Sequence, residues 1–446
     1  MNSIGAQTAM ALGRALLIVV LALAISPSLG GWLIAQRGRA KVFAWILLLA
    51  PFFTPPLLVS YALVKFSMSL LVSAWGHEAL YIGVLAMKLI PVAVVLRALL
   101  PPPLSAEGRH TFRMLAPVGW GDRVRFHLRA VGHGPWISGG LVFLLAFADF
   151  ELASLWSVKT WTMAVFDAQV GGYALGSTLR LAAWPLGAQL CVLVAIALTK
   201  RDLPGGPEEQ GRRAGAIPWC YLAIAASAVC VVPLFIVAAQ AVAGVPSLWE
   251  NFVLGGELGA SVVFALVAAG AATAIASCAR KSAPPLTLLL VIPGLLGALV
   301  VSLLLLALFQ APLLHALYDT PLPLGIALSL LLLPLALLLD ALWLRPTPAL
   351  HIARQVGSRR LIWDLERRPR AVAAGLLFCW AYFDFTASSI LAPTGFTPVF
   401  VRLHNLAHYG QTAVLSAMML AAFATPILVL LLTGTAWRLY ARGHGR

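Results

Sequence analysis

The chain has 446 residues, of which 61% are hydrophobic and 11% are charged, and its formal net charge is +15. A soluble domain has roughly 45–50% apolar and about 25% charged residues. The composition therefore excludes an ordinary soluble domain and indicates an all-α polytopic membrane protein embedded in a lipid bilayer.

Long apolar runs recur along the whole chain. A helix that crosses the hydrocarbon core needs about 20 apolar residues. Runs of this length predict about 11 transmembrane helices, at residues 15–35, 42–64, 79–100, 136–157, 177–198, 217–243, 258–279, 285–309, 322–343, 371–392 and 411–437.

The basic residues predict the orientation of these spans. If the N-terminus lies outside, 25 of the 31 Lys and Arg residues fall on the inside, mostly around 37–41, 97–129, 200–213, 280–281, 345–370 and 438–446. Cytoplasmic loops carry such an excess of positive charge. We therefore expect an outside N-terminus, an inside C-terminus and a multi-pass membrane protein. Because the charge has this topological role, no nucleic-acid partner is expected.

The first apolar run has a second interpretation. Arg14 followed by an apolar stretch and a small-residue site is also typical of a cleaved signal peptide. Because the run continues to Ile34 and has a partner later in the chain, we expect a retained span.

Motifs of enzymes and metal sites are missing from the sequence. The five cysteines lie singly in apolar runs, the nine histidines are scattered, and neither a phosphate-binding GxxxxGK[ST] loop nor a GxSxG elbow occurs. We therefore expect no enzyme activity, no resident cofactor and no metal site.

Three stretches of the sequence occur twice in the same order. LLLAPFFTPPLLVS around Pro51 resembles LLLVIPGLLGALVVS around Pro293, and LIPVAVVLRALLPPP around Pro91 resembles LLPLALLLDALWLRPTP around Pro334. GLVFLLAFADFELAS at 140–154 resembles GLLFCWAYFDFTAS at 375–388. Six predicted spans separate the copies, and this even number predicts two parallel repeats related by an axis along the membrane normal.

A polar linker divides the two copies. Residues 200–216 contain the Gly- and Pro-rich stretch KRDLPGGPEEQGRRAG, which is typical of a domain boundary. We predict a first unit at 1–199 with about five spans, a cytoplasmic linker at 200–216, and a second unit at 217–446 with about six spans.

The third repeated stretch carries a carboxylate inside each apolar run, Asp149 in one and Asp384 in the other. A charge within a span costs about 2.5–3.5 kcal/mol on insertion scales and usually faces a bundle interior or an aqueous path. One prediction is that the two carboxylates, beside Phe150 and Phe385, line a translocation path for a cationic solute. The alternative is that both lie at the outer headgroup level. Glu151 aligns with Thr386 and has no acidic counterpart.

An Arg-rich cytoplasmic loop lies before each copy of this stretch. Each loop has a glycine, a basic and aromatic segment, and a proline just before the next span: Gly119, Trp120, Phe126 and Pro135 in the first, and Gly357, Trp363 and Pro369 in the second. This order resembles the membrane permease subunits of ATP-binding cassette importers, in which the loop holds a short coupling helix that docks on the ATPase. The family's Glu-Ala-Ala stretch is replaced by residues 113–115 and 351–353, where only Ala353 matches.

The resemblance implies a fold and a function. Permeases of the ferric-iron and thiamine type fuse two such units in one chain, so the implied fold is two repeats of the type-I importer permease. The implied function is to move a small solute, ferric iron first and thiamine or another small cation next, from a periplasmic solute-binding protein to the cytoplasm. A separate ATP-binding subunit, expected to be a homodimer, would drive it, and the chain would be a multi-pass protein of a bacterial plasma (inner) membrane. An ion-coupled secondary transporter with parallel repeats is the alternative.

Overall fold

A computed structural model describes residues 2–70, 74–100, 111, 114, 119–121, 132–199, 216–250, 252–279, 284–343, 348–407, 410 and 412–443. The described residues form helices, turns and bends, and no strand occurs among them. The chain divides into two compact units, Met1–Pro233 and Leu234–Arg446. The boundary lies within the helical span at 216–241, which follows the polar linker in sequence.

The first unit contains eight described helices before that span. They are α1 (Asn2–Ala35), α2 (Gly38–Phe53), α3 (Pro56–Leu70), α4 (Ala74–Leu99), α5 (Gly134–Phe147), α6 (Glu151–Leu155), α7 (Trp161–Val170) and α8 (Leu175–Leu198). The span that follows starts with α9 (Ala216–Ala225), passes through a π-helical turn at Ala226–Val231, and ends with α10 (Val232–Ala241).

The second unit contains nine further α-helices among its described residues. They are α11 (Phe252–Ala279), α12 (Pro284–Leu296), α13 (Ala298–Phe309), α14 (Pro321–Trp343), α15 (Pro348–Gln355), α16 (Arg359–Tyr382), α17 (Thr386–Leu391), α18 (Val399–Ala407) and α19 (Ala413–Gly443). Short 3-10 turns lie at Pro246–Glu250 and His315–Leu317.

Eight helical segments of the described chain are long and apolar enough to cross a membrane, and there are up to ten if each of two bent pairs is one span. The structure is therefore that of an all-helical, multi-pass membrane protein. Ten of the predicted spans coincide with these segments. The eleventh, at 371–392, comprises the second half of α16, which begins at Arg359 in the Arg-rich loop, then an interruption after Tyr382, and then α17.

Two of the predicted spans are sharply bent. The span predicted at 42–64 bends by 72° between α2 and α3, and the span at 285–309 bends by 110° between α12 and α13. The first bend lies at Thr54 and Pro55, before a proline that cannot continue the backbone hydrogen-bond ladder. The second lies at Gly297, whose φ of 96° suits glycine because it has no Cβ.

Small residues on the first long helix let the core of each unit pack closely. In the first unit α1 packs on α4 and α5, and its buried residues include Ala11, Ala15, Ile18 and Ala22. In the second unit α11 packs on α14 and α16, through a stripe that includes Ala265, Ala268, Ala272 and Ala276. Such small-residue stripes allow close helix approach in membranes, where lipid supplies no hydrophobic driving force.

The remaining helices pack in the same order in the two units. In the first unit α2 packs on α4, α3 on α6, and α7 on α8. In the second unit α12 packs on α14, α13 on α17, and α18 on α19. The glycine that opens each copy of the third repeated stretch also has the same role. A Cβ on Gly140 would meet Ile196 Cδ1 of α8 at 2.7 Å, and a Cβ on Gly375 would meet Leu430 Cδ2 of α19 at 3.2 Å.

Candidate functional site

Asp149 lies at an interruption of a span. Helix α5 ends at Phe147, and the backbone leaves helical geometry at Ala148 before the short helix α6 begins at Glu151. The Asp149 carboxylate accepts a hydrogen bond from the backbone N–H of Ala153 at 3.1 Å. It therefore satisfies a donor that the interruption leaves without a helical carbonyl.

Asp384 does the same in the second unit. Helix α16 ends at Tyr382 and α17 begins at Thr386. The Asp384 carboxylate accepts a hydrogen bond from the backbone N–H of Ser388 at 3.0 Å. Each carboxylate thus bonds to the N–H four residues ahead of it. The repeated sequence produces the same broken helix twice.

The aromatic residues beside these carboxylates are packed inside their own units. The Phe150 ring lies 4.8 Å from the Phe166 ring of α7, and the Phe385 ring lies 4.2 Å from the imidazole of His404 on α18. Both phenylalanines are buried. They fix the short helix after each interruption against the next helix. A role for Asp149, Phe150, Asp384 and Phe385 in lining a path stays a prediction.

A connected set of polar and charged groups distinguishes the first unit. The Tyr81 hydroxyl donates to the Asp149 carboxylate at 3.0 Å, and the Arg14 guanidinium lies 5.8 Å from the centre of the Tyr81 ring. Arg14 also donates to both carboxylate oxygens of Glu78, at 2.7 and 2.5 Å, and to the Lys159 carbonyl at 2.8 Å. This set joins α1, α4, the interruption after α5 and the loop before α7.

In the second unit an ion pair holds the first long helix at the comparable place. Glu257 of α11 is buried and accepts a hydrogen bond from Arg402 of α18 at 3.0 Å. Ser261, one turn further along α11, accepts from the backbone N–H of Val399, the first residue of α18. In each unit a polar contact thus ties the first long helix to the chain that follows the interrupted span. Arg14 of α1 bonds to the Lys159 carbonyl just before α7, and Ser261 of α11 bonds to Val399 at the start of α18.

Lys88 is the buried cation that the sequence patterns did not single out. It lies in the middle of α4 and is only 8% exposed. Its ammonium donates to the carbonyls of Pro51 at 3.2 Å, Phe52 at 3.4 Å and Thr54, all at the bend between α2 and α3. The carboxylates of Glu151 and Asp149 interact with it electrostatically. Lys88 thus interacts with both broken spans of the first unit, the one that bends between α2 and α3 and the one that is interrupted after α5.

The second Arg-rich loop forms an exposed helix–turn–helix. Helix α15 packs on α16, and between them Gly357 adopts a φ of 70°. Ala353 is fully buried, whereas Trp363 is 52% exposed. Further exposed apolar side chains accompany Trp363: Ile352, Val356, Leu361 and Leu365.

Only part of the first Arg-rich loop is described. Gly119 and Trp120 lie in the described part, and the Trp120 side chain is 81% exposed. Phe126 lies outside the described residues. The roles predicted for Gly119, Trp120, Phe126, Ala353, Gly357 and Trp363 in docking an ATPase stay predictions.

No family model matches the chain, and neither a curated protein nor a solved structure does. Function is therefore inferred from the chain's own residues and geometry.

Proposed function

We propose that this chain is the permease subunit of an ATP-binding cassette importer, and that a separate ATPase drives it. The observation that carries the proposal is the segment Pro348–Arg370, called here the docking segment. It joins a short amphipathic helix, a glycine turn and the start of a spanning helix, and it lies in the most Arg-rich loop of the chain.

The exposed apolar side chains of the docking segment support binding to a protein. Trp363, Leu361 and Ile352 are each more than half exposed, although Arg and Asp residues surround them in sequence. An apolar patch with a charged rim is typical of a protein–protein contact. An amphipathic helix that fits into a groove on its partner is a common form of such a contact.

The continuity of α16 supports coupling between this surface and the membrane. The helix begins at Arg359 within the docking segment and continues without interruption to Tyr382. The Asp384 interruption follows at once. A tilt of the docking segment would therefore move the broken part of the span, which is the kind of rigid-element motion that opens and closes transport paths.

The equal packing order of the two units supports a pair of parallel repeats. With the basic loops inside, the N-terminus is outside and the C-terminus inside. Two such units in one chain are what a fused permease of this type requires. A periplasmic solute-binding protein would deliver the solute at the outer face, in a bacterial inner membrane.

The substrate we propose is a small cation, with ferric iron first and thiamine as the alternative. The support is the repeated carboxylate at each interruption. If Asp149 and Asp384 contact the solute, then Asp149→Asn together with Asp384→Asn should lower uptake at least tenfold while the protein remains folded. Unchanged uptake in that double variant would remove both residues from the path.

The broken spans favour one second candidate, an ion-coupled secondary transporter. Transporters of that class bind ions where interrupted helices expose backbone carbonyls, and the α2–α3 bend has this form. Such a protein would transport with no ATPase present.

Co-purification tests the docking proposal. Trp363→Asp places a charge in the apolar patch and should abolish co-purification with the ATPase of the proposed importer. Leu313→Asp is the matched control, because Leu313 is 91% exposed and lies in a loop on the predicted outer side. The control should retain the ATPase. Retention of the ATPase by the Trp363 variant as well would contradict docking at this segment.

A further inference from the structure

The bend between α2 and α3 leaves backbone carbonyls without their helical donors. In a continuous helix the carbonyl of Pro51 would accept from the N–H of residue 55, and that of Phe52 from residue 56. Both positions are proline and have no N–H. Water is scarce inside the bilayer, where each unsatisfied polar group costs several kcal/mol. The Pro-Pro pair therefore creates a demand for donors from elsewhere.

The Lys88 side chain meets this demand. An ammonium carries three donors, and that of Lys88 is within hydrogen-bonding distance of three carbonyl oxygens, those of Pro51, Phe52 and Thr54. The side chain reaches them from α4, which packs on α2. Lysine is thus bound as a cation by oxygen ligands at the end of a half-helix.

Two features of this cluster attract positive charge and oppose the cost of burying the ammonium. The C-terminus of a helix carries a partial negative charge from its aligned peptide dipoles, and α2 ends at Phe53. The carboxylates of Glu151 and Asp149 add a further attraction for the ammonium. Backbone carbonyls and half-helix C-termini are the groups that bind small cations in broken membrane helices.

The second unit provides an internal control for this assignment. Its bend has Gly297 and Ala298 where the first unit has Pro55 and Pro56. Each of these residues keeps its N–H, so proline removes no donor at this bend. The position that matches Lys88, three residues before the repeated proline, is Leu331. The lysine thus occurs where the prolines remove donors and is replaced by leucine where they do not.

We propose that the carbonyl oxygens of Pro51, Phe52 and Thr54 form a site for a small monovalent cation, and that the Lys88 ammonium is the cation that occupies this site. The site holds the α2–α3 bend against α4. It is distinct from the docking segment and does not depend on the transport function proposed above.

Chemical rescue of a lysine deletion tests the site. Lys88→Ala empties the position, and the purified full chain is melted in detergent while its tryptophan fluorescence is followed. In choline chloride, whose cation is too large for the site, the melting temperature should fall by about 5 °C, because at least two carbonyls lose their donor. Methylammonium or potassium chloride at the same ionic strength should restore at least half of that loss. The wild-type chain should show no difference among these salts.

Two further variants give the experiment its controls. Lys88→Met fills the same space without a charge, and it should be as unstable as the alanine variant and gain nothing from methylammonium. Leu331→Ala makes a cavity at the matching position of the second unit and should melt at one temperature in all salts.

Three outcomes would overturn the assignment. They are a Lys88→Met chain as stable as wild type, a Lys88→Ala chain equally unstable in every salt, and a cation effect of the same size in Leu331→Ala. If the alanine variant does not fold, Lys88→Arg and Lys88→Met decide. A stable arginine variant beside an unstable methionine variant supports the site, and equal stability overturns it.

Discussion

The two bent spans both interrupt the backbone hydrogen bonds of a membrane helix, and they accommodate the interruption with different residues. Each interrupts a membrane helix and packs against the long helix that carries the repeated proline, α4 in the first unit and α14 in the second. The first bend uses a Pro-Pro pair and a lysine. The second uses a left-handed glycine at Gly297 and a close backbone approach at Gly294, where an added Cβ would meet the Leu330 carbonyl at 2.6 Å.

The repeated prolines themselves are accommodated in the same two ways. Pro91 removes the donor of the Met87 carbonyl, and the Tyr221 hydroxyl from α9 donates to that carbonyl at 2.8 Å. Pro334 removes the donor of the Leu330 carbonyl, against which Gly294 packs. Side-chain donors therefore satisfy the carbonyls of the first unit, and close packing covers that of the second. Only the first arrangement places charge inside a span, so the two repeats differ in chemistry where they agree in shape.

The largest effect is expected when residues at the first bend are replaced by those found at the second. Lys88→Leu should lower the free energy of unfolding by about 2–4 kcal/mol, since buried carbonyls lose their donors. Adding Pro55→Gly and Pro56→Ala should restore most of that loss, because the new N–H groups can pair with the carbonyls. Denaturation in mixed detergent micelles measures both. If the effects of the lysine and proline changes were additive, the lysine would not be there to replace the donors that the prolines remove, and the comparison of the two bends would be wrong.

A close second is expected at the bend of the second unit. Gly294→Ala should destabilise the chain by about 2–3 kcal/mol, since the new methyl group overlaps a backbone carbonyl and the ring of Pro334. Gly270→Ala on α11 is the matched control, because nothing lies within 4 Å of its added Cβ. The control should be neutral or stabilising by about 0.5–1 kcal/mol. The same unfolding assay compares them, and equal effects would rule out close packing as the reason for Gly294.

A smaller effect is expected from removing the two repeated carboxylates. Asp149→Ala and Asp384→Ala each remove an acceptor for a backbone N–H, which costs about 1 kcal/mol. Asp149→Ala should also lose the hydrogen bond from Tyr81, which costs about 1 kcal/mol in addition. Tyr81→Phe should then have little further effect in the Asp149→Ala background. A full additional loss in that double variant would show that the two residues act independently.

The smallest effect is expected at the turn of the docking segment. Gly357 has a φ of 70°, a conformation that costs an L-residue roughly 1–2 kcal/mol. Gly357→Ala should therefore weaken ATPase co-purification about tenfold or less while the spans still fold. Gly434→Ala on α19, where an added Cβ meets nothing within 4 Å, should leave co-purification unchanged. Equal binding in both variants would show that the turn does not set the shape of the docking surface.

The sequence predicted the spans well because their signal is local. Ten predicted segments coincide with long apolar helices or bent pairs, and the first bend lies at Pro55 and Pro56, which are visible in the sequence as residues that cannot continue a helix. The second bend was not predicted, because one glycine in an apolar run does not show that its φ is positive. The span at 371–392 was predicted without its continuation into the Arg-rich loop, since hydropathy cannot follow a helix that leaves the membrane.

The polar contacts were predicted less well because they join distant parts of the chain. The aspartates were found from their repetition, but their hydrogen bonds to Ala153 and Ser388 depend on where the helix breaks. Lys88 was visible only as a charge within a span, and its partners lie 34–37 residues earlier. Glu151 has no acidic counterpart in the second repeat, which has threonine there, yet it interacts with Lys88. A difference between repeats was as informative as their agreement.

Measuring which energy source drives transport is the most direct test of the function proposed for this chain. Proteoliposomes that contain the chain and its ATPase, with the solute-binding protein and candidate cation outside, should take up the cation only when ATP is hydrolysed inside. Ionophores that collapse proton and sodium gradients should leave this uptake unchanged. Uptake by the chain alone, lost when the gradients collapse, would contradict an ATP-driven importer and establish the ion-coupled alternative.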